Sequence, residues 1–470
     1  MPTTLATRRT FLLTILLLLI LTNVSVLLNI PVLRPFLGFI FLTLVPGFLL
    51  LSILRLNKPG LTENIVFSVG LSIAFVMLFG LLENLLLLAI GYARPLSTVP
   101  LLISFGAVTV VLAVIAYMRN RDVVFSFSAF RLSAREQALL IVPAIFPLLS
   151  IIGIRIMNVQ NNNALLMALL ILIPAYLVFI AFYRRRIPEG FYPILTYLIG
   201  LSLLLLLPLR SKHITGSDVH DMYYLFQFTL REGHWGLFIN GLLDATVSIS
   251  LLPTIYQTYL NLNSEYLFNF LYPLLFSISP LVVFVFARKY LGGFYALIAS
   301  FLFMAQFTFL WASSASNSIL AILFFALAIM VRFRDGLSEF AKRFLFIVFA
   351  ISAILAHYST SYIFFFVLFA TWLGVKIIRA LLFRNKGAVG STEESLKGIS
   401  ATVVILFFVF LFLWYGMVTV VPFQYGVGFI RETFLRLNQA FLLESKGTTI
   451  AAAAGEGIST APQQVRLIFS

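Results

Sequence analysis

The residues able to do chemistry concentrate in one stretch of the chain. Residues 209–264 hold His213, His220 and His234 of the chain's 4 histidines, together with Asp218, Asp221, Glu232 and Asp244. Glu265 stands just past the closing edge. Carboxylates beside imidazoles supply proton acceptors, hydrogen-bond partners and ligands for a divalent ion. Asp218 and Asp221 lie three apart, so they share one face wherever the segment is helical. A second polar group of interest is the run His357-Tyr358-Ser359-Thr360-Ser361-Tyr362.

Local pattern says which elements carry these groups. Thr215-Gly216-Ser217-Asp218 reads as a helix start, with Thr215 or Ser217 as cap and the acids in the first turn, where the helix dipole favours negative charge. Service at that terminus alone is the plain alternative for Asp221. The following residues, Val219 to Arg231, hold enough aromatics to lie on a membrane surface. Residues 245–262 predict a second surface helix, with Leu251, Leu252, Ile255, Tyr256, Tyr259 and Leu260 as an apolar stripe around Pro253. Interfacial packing accounts for most of that stripe.

Everything around these groups is apolar. Of the 470 residues, 61% are hydrophobic and 10% charged, and the mean hydropathy is +1.05. A soluble domain carries roughly a quarter charged residues, so the sequence specifies an all-α polytopic membrane protein. Taking about 20 apolar residues per span, the runs give about thirteen transmembrane helices, with interfacial helices in a long outer loop. A short run near 344–357 and the next at 360–378 form a tight hairpin around His357 to Tyr362. The absence of cysteine excludes disulfides, thiolate metal sites and cysteine nucleophiles.

Net charge is +15, yet no nucleic-acid partner is expected. Lysine and arginine cluster at alternate span ends, as the positive-inside rule requires, without aromatic interleaving. Arg8 and Arg9 precede an apolar run at 11–30 with no small-residue cleavage site, which reads as a first transmembrane helix rather than a signal peptide. A cytoplasmic N-terminus then puts most of the 32 basic residues inside and residues 209–264 outside. The expected location is a cell membrane, with the working surface extracytoplasmic.

Arg184–Arg186, followed by Pro188 and Gly190, marks a module boundary. It divides an accessory six-span module at 1–187 from a seven-span module at 188–420 containing the outer loop, with an outer tail at 421–470. Within the spans Glu83 is the one conspicuous acid, expected to reach water or Arg94 near the outer end. Pro46-Gly47 predicts a kink whose freed backbone groups a neighbouring helix can satisfy.

Three segments carry a family resemblance: GSDVHDMYY at 216–224, HW at 234–235 and LLPTIYQTYL at 251–260. With a long first outer loop, an early aspartate and seven spans, the chain resembles the glycosyltransferase C superfamily. These are multi-pass enzymes that use polyprenyl-phosphate-linked sugars on the outer membrane face. The likeness covers roughly 190–420 well and 1–187 loosely. LTLVPGFLLLSILRL at 42–56 and AHYSTSY at 356–362 also look similar to archaeal multi-pass membrane proteins of this layout.

The resemblance implies Asp218 as the general base, and the neighbouring Asp221 and His220 offer orientation or charge partners beside it. It implies a polyprenyl-phosphate-linked sugar donor, a glycan, lipid or protein acceptor, and membrane lipids as surroundings. A leaving lipid phosphate needs cationic or hydrogen-bonding groups, for which Lys212, His213, His357 and Tyr358 are candidates. His234, Trp235 and Tyr256 belong to the matching segments and count as substrate-binding candidates. A buried histidine bonded to Ser359 or Thr360 is the plain alternative for His357. Oligosaccharyltransferase members have further acids in a second outer loop, but WASSASNS at 311–318 has none. No metal site or cofactor is therefore assigned, while a divalent ion on Asp218, Asp221, His220 and water stays open.

Two other functional classes compete. A transporter or flippase for lipid-linked saccharides would show ionisable residues and broken helices at the bilayer midplane. A non-catalytic scaffold of envelope assembly would need none of the loop's acids.

Overall fold

The computed structural model describes residues 5–6, 8–55, 60–120, 125–126, 133–211, 213–214, 217–310, 316–334, 337–382 and 400–435. The chain begins with α1 (Arg8–Leu27), α2 (Leu33–Ile53), α3 (Leu61–Ala89), α4 (Thr98–Arg119), α5 (Ala134–Gln160) and α6 (Ala164–Tyr183). After a 3₁₀ turn at Arg184–Arg186 come α7 (Phe191–Leu204), α8 (Ser217–Glu232), α9 (Leu251–Leu260), α10 (Ser264–Phe276), α11 (Ser279–Leu291), α12 (Gly293–Met304) and the short α13 (Phe307–Leu310). The rest is α14 (Ser316–Arg332), α15 (Glu339–Ala356), α16 (Tyr358–Leu382), α17 (Ala401–Phe412), a π-helical turn at Leu413–Val418, and α18 (Val421–Leu435).

This is an all-α polytopic membrane fold. Among the described residues, 9 helices are long and apolar enough to cross a membrane, α10 and α11 running on as one span over Ser264–Leu291. Phe191–Leu204, Gly293–Met304 and Asn317–Arg332 are shorter apolar helices. With α15, they occupy the remaining apolar runs of the sequence, so nine of the thirteen expected spans meet that length and hydropathy among the described residues. The only extended pairing among the described residues joins Leu5–Ala6 to Phe125–Ser126, antiparallel. The chain gathers into one compact unit over Met1–Leu411 and another over Phe412–Ser470. The first unit runs straight through the arginine cluster at 184–186.

Within that first unit the helix ends sort into two faces. At one, Arg55 donates to the Arg119 carbonyl (2.6 Å), Asn120 to the Ser52 carbonyl (3.0 Å) and Lys289 to the Phe333 carbonyl (2.6 Å). Arg334 pairs with Glu63 there. This is the basic end. Residues 217–264 gather at the opposite end, here called the loop end.

Helices α2 and α3 lie in close contact. A Cβ on Gly47 would stand 1.9 Å from the Ser68 carbonyl oxygen, so only glycine lets the two backbones approach. Pro46 lies inside α2 at the same point, and the Gly47 N–H donates across to the Ser72 hydroxyl at 2.8 Å. The neighbouring helix thus supplies a hydrogen-bond partner at the proline.

The expected surface helix at 245–262 takes a different form. It starts only at Leu251 and is buried, with Leu251, Leu252, Ile255 and Tyr256 wholly inaccessible. Pro253 sits in its first turn, where no intrahelical N–H is required. The hydroxyls of Ser250, Thr254 and Thr258 fold back onto the carbonyls of Thr246, Ser250 and Thr254. Polar groups satisfied locally in this way let a helix enter an apolar interior. It packs against α2, α3, α4, α8 and α10.

Glu83 also departs from expectation. It is 5% exposed within α3, and Arg94 turns away from it to donate to the Arg231 carbonyl at 2.9 Å. The left-handed turn at Gly233 (φ 71°) brings that carbonyl into reach, its Cα lying under the Arg94 side chain.

Candidate functional site at the loop end

α8 positions the acids. Val219, Met222, Leu225, Phe226 and Thr229 are buried along one side, while Asp218, His220, Asp221 and Tyr224 are exposed. Spacings of three and four residues make that amphipathic face. The apolar side seats on α10, with Phe226 stacked on Phe268 at 5.7 Å and Tyr223 edge-on to the same ring at 5.5 Å. Asp218 stands in the first turn of α8. The charge of its carboxylate acts on the phenol of Tyr358, at the start of α16. Two groups far apart in sequence thereby come within electrostatic reach of each other. Thr215 and the side chain of Ser217, the expected caps, lie outside the described residues, as does Lys212.

The loop beyond α8 is fastened to the helices around it. Asn84 of α3 clasps the Trp235 backbone, accepting from its N–H (2.8 Å) and donating to its carbonyl (3.0 Å). Leu96 donates its N–H to the Gly233 carbonyl at 2.8 Å. Asp244 is 1% exposed and accepts from the N–H groups of Ile239 (3.1 Å) and Gly241 (3.3 Å). Burial pushes its carboxyl above the usual range, against those backbone donors. It organises the turn at 239–245 and is closed to solvent. Val247 donates to the Leu355 carbonyl (2.9 Å), and the Ser248 hydroxyl to the Ala356 carbonyl (2.8 Å).

That last contact leads to His357, the single residue between α15 and α16. Its Nδ1 lies 2.6 Å from the Thr360 hydroxyl and 3.1 Å from the Ser318 hydroxyl, and Ser359 lies 3.3 Å from Nε2. Burial pushes the imidazole down to about 4, so it is neutral at physiological pH. Its bonds to Thr360 and Ser359 are those of the plain alternative given above. Ser318 is the addition, supplied by the 311–318 stretch that lacks acids. No sequence signal pairs Ser318 with His357. The α14–α15 hairpin does so.

The other candidates are dispersed. His213 is exposed, with Nδ1 3.1 Å from Glu265 Oε2. His234 is half-buried against Phe238, with Nδ1 3.4 Å from the Glu232 carbonyl. Trp235 is 5% exposed. Tyr256 is fully buried, its hydroxyl 3.0 Å from Thr43, and packs between α9 and α2. His220 lies two residues from Asp218 and so points about 200° away around the helix. That spread keeps Asp218, Asp221 and His220 from converging on one ion. No group of three metal-ligating side chains occurs among the described residues.

A cavity of about 860 Å³ opens elsewhere, between α2, α3, α7 and α11 toward the basic end. Its lining is mainly apolar, and its one acid, Glu63, is held by Arg334. No other acid lines it.

Neither the curated proteins nor the solved structures contain a match to this chain. Residues 342–468, a stretch that includes His357 and Tyr358 but not Asp218, match the family described as "Predicted membrane protein (DUF2206)", in keeping with a multi-pass membrane protein.

Proposed function

We propose that the protein is a membrane glycosyltransferase. It moves a sugar from a polyprenyl-phosphate-linked donor to an acceptor hydroxyl at the loop end, on the extracytoplasmic side. The observation that carries this reading is that Asp218, on the exposed side of α8, lies within electrostatic reach of Tyr358, the neighbour in sequence of the His357–Ser318–Thr360 cluster. The gathering of basic side chains at the opposite end supports the sidedness.

In the reaction the acceptor oxygen attacks the anomeric carbon, and Asp218 takes the proton from that oxygen. The bond from the anomeric carbon to the lipid phosphate breaks, and the phosphate leaves with the electron pair. Tyr358 and the hydroxyls around His357 stabilise it as hydrogen-bond donors. His357 itself contributes a neutral imidazole rather than a charge. Asp221, one turn on and exposed, is the nearest substitute base.

Asp218→Asn keeps size and polarity but removes the proton acceptor. A positioned general base contributes about 10²–10⁴-fold, so transfer from a polyprenyl-phosphate sugar should fall by about that factor with donor binding retained. Near-full transfer by this variant overturns the assignment.

A further inference from the structure

The pocket between α2, α4 and the far ends of α8 and α9 has no role in the chemistry above. Its volume is about 310 Å³, and Arg34, Arg94, Ser97, Thr98, Gln257 and Asn261 supply its polar lining. No acid lines it. Arg34 is 9% exposed, yet its donors go to the carbonyls of Tyr259 (2.9 Å) and Thr258 (2.7 Å) and to Asn29 Oδ1 (2.6 Å). Arg94 donates to the Arg231 carbonyl. Among the described residues neither guanidinium has a carboxylate partner. The neighbouring acid Glu232 is engaged with Arg231 at 3.3 Å.

Burying a cation without a counter-ion is costly. Here Arg34 is buried among neutral oxygens that leave its charge uncompensated, and the exposed Arg94 lines the same concavity. The pocket also receives the N-terminus of α4, where Ser97 is the N-cap, and free N–H groups there favour an anion. The Gln257 amide nitrogen is engaged, donating to the Leu262 carbonyl at 2.6 Å. Positive charge and free helix N–H groups, with no acid, select an anionic oxygen group.

We infer that the Arg34–Arg94 pocket binds a phosphate-type oxyanion, free or as a lipid headgroup. It lies at the opposite end of α8 from Asp218, about 20 Å away at 1.5 Å per residue. It is thus separate from the transfer site. A binding readout tests it independently of whether the protein transfers sugar.

The full chain is placed in phosphatidylcholine nanodiscs, and binding of inorganic phosphate is measured by calorimetry. Retention of phosphatidylglycerol from mixed nanodiscs is followed by native mass spectrometry. Arg94 is exposed, so Arg94→Gln should fold. A hydrogen bond to a charged group contributes about 1.5–3 kcal/mol, so affinity should fall about 10–100-fold. Gln257→Glu introduces a counter-ion and should abolish binding while raising the melting temperature. Arg185→Gln, exposed in the turn at Arg184–Arg186 and outside the lining, should bind as the parent does. Phosphate binding identifies a free oxyanion as sufficient, and phosphatidylglycerol retention alone identifies a headgroup. Binding of neither, or equal loss in Arg94→Gln and Arg185→Gln, overturns the inference.

Discussion

His357 is neutral in the folded protein because burial pushes its imidazole down to about 4, while an unfolded histidine titrates near 6.5. Between those values the unfolded chain binds more protons, so stability is complete above about 6.5 and falls as pH drops toward 4. The full effect is on the order of 3 kcal/mol. Melting temperatures measured from pH 7 to pH 4 should decline, and His357→Gln should flatten the decline. An unchanged slope would mean that the imidazole is accessible and charged. At this scale the sequence was legible where chemistry is local. The spacing of Asp218 and Asp221 with a helix start placed both on the exposed side of α8. Ser318 was not legible, since its partner is 39 residues away and comes into reach only through the α14–α15 hairpin. Nor was the Arg34–Arg94 pairing, which depends on the turn at Gly233.

Among the elements, the α2–α3 contact is the most demanding. Gly47→Ala would force a methyl group against the Ser68 carbonyl, which belongs to the α3 backbone and cannot rotate away. Overpacking costs about 1–3 kcal/mol, so the variant should unfold at a lower temperature in detergent. Gly374→Ala in α16 meets nothing within 4 Å and should be neutral or slightly stabilising. Equal melting of the two variants would show that α2 and α3 are loosely joined. Helix existence was readable throughout from apolar run length. The burial of α9 was not. An apolar stripe of Leu251, Ile255, Tyr256 and Tyr259 is written identically for a lipid surface and for a protein interior. Only the back-bonded hydroxyls of Ser250, Thr254 and Thr258 hinted that its polar side, too, could be enclosed.

Across the whole molecule, the arrangement of charge predicts sidedness. The chain has no cysteine, so single cysteines report without background. Asn240 is exposed at the loop end, and Tyr290 is exposed at the end of α11, near Lys289. Asn240→Cys should react with an impermeant maleimide added outside intact cells, and Tyr290→Cys only after permeabilisation. Labelling of both from one side would overturn the orientation. The distribution of arginine and lysine along the sequence is what motivates this orientation. What it did not carry is the relation of the first six helices to the rest. The Asn84–Trp235 clasp, the Arg34 bonds to Thr258 and Tyr259, and the Leu96–Gly233 bond join α2–α4 directly to the 209–264 loop.

The seating of α9 against α2, α3 and α4 bears on how the protein is made. All three walls precede α9 in the chain, so they are synthesised before this segment leaves the ribosome, while α10, which also packs on it, follows. A ten-residue helix is too short to hold itself in a bilayer, and it acquires its place by docking against them. Order of insertion is therefore built into order of sequence. Separately expressed halves divided near Arg186 would leave the second half with an orphaned apolar segment, a target for membrane quality control, until the first half arrives to receive it.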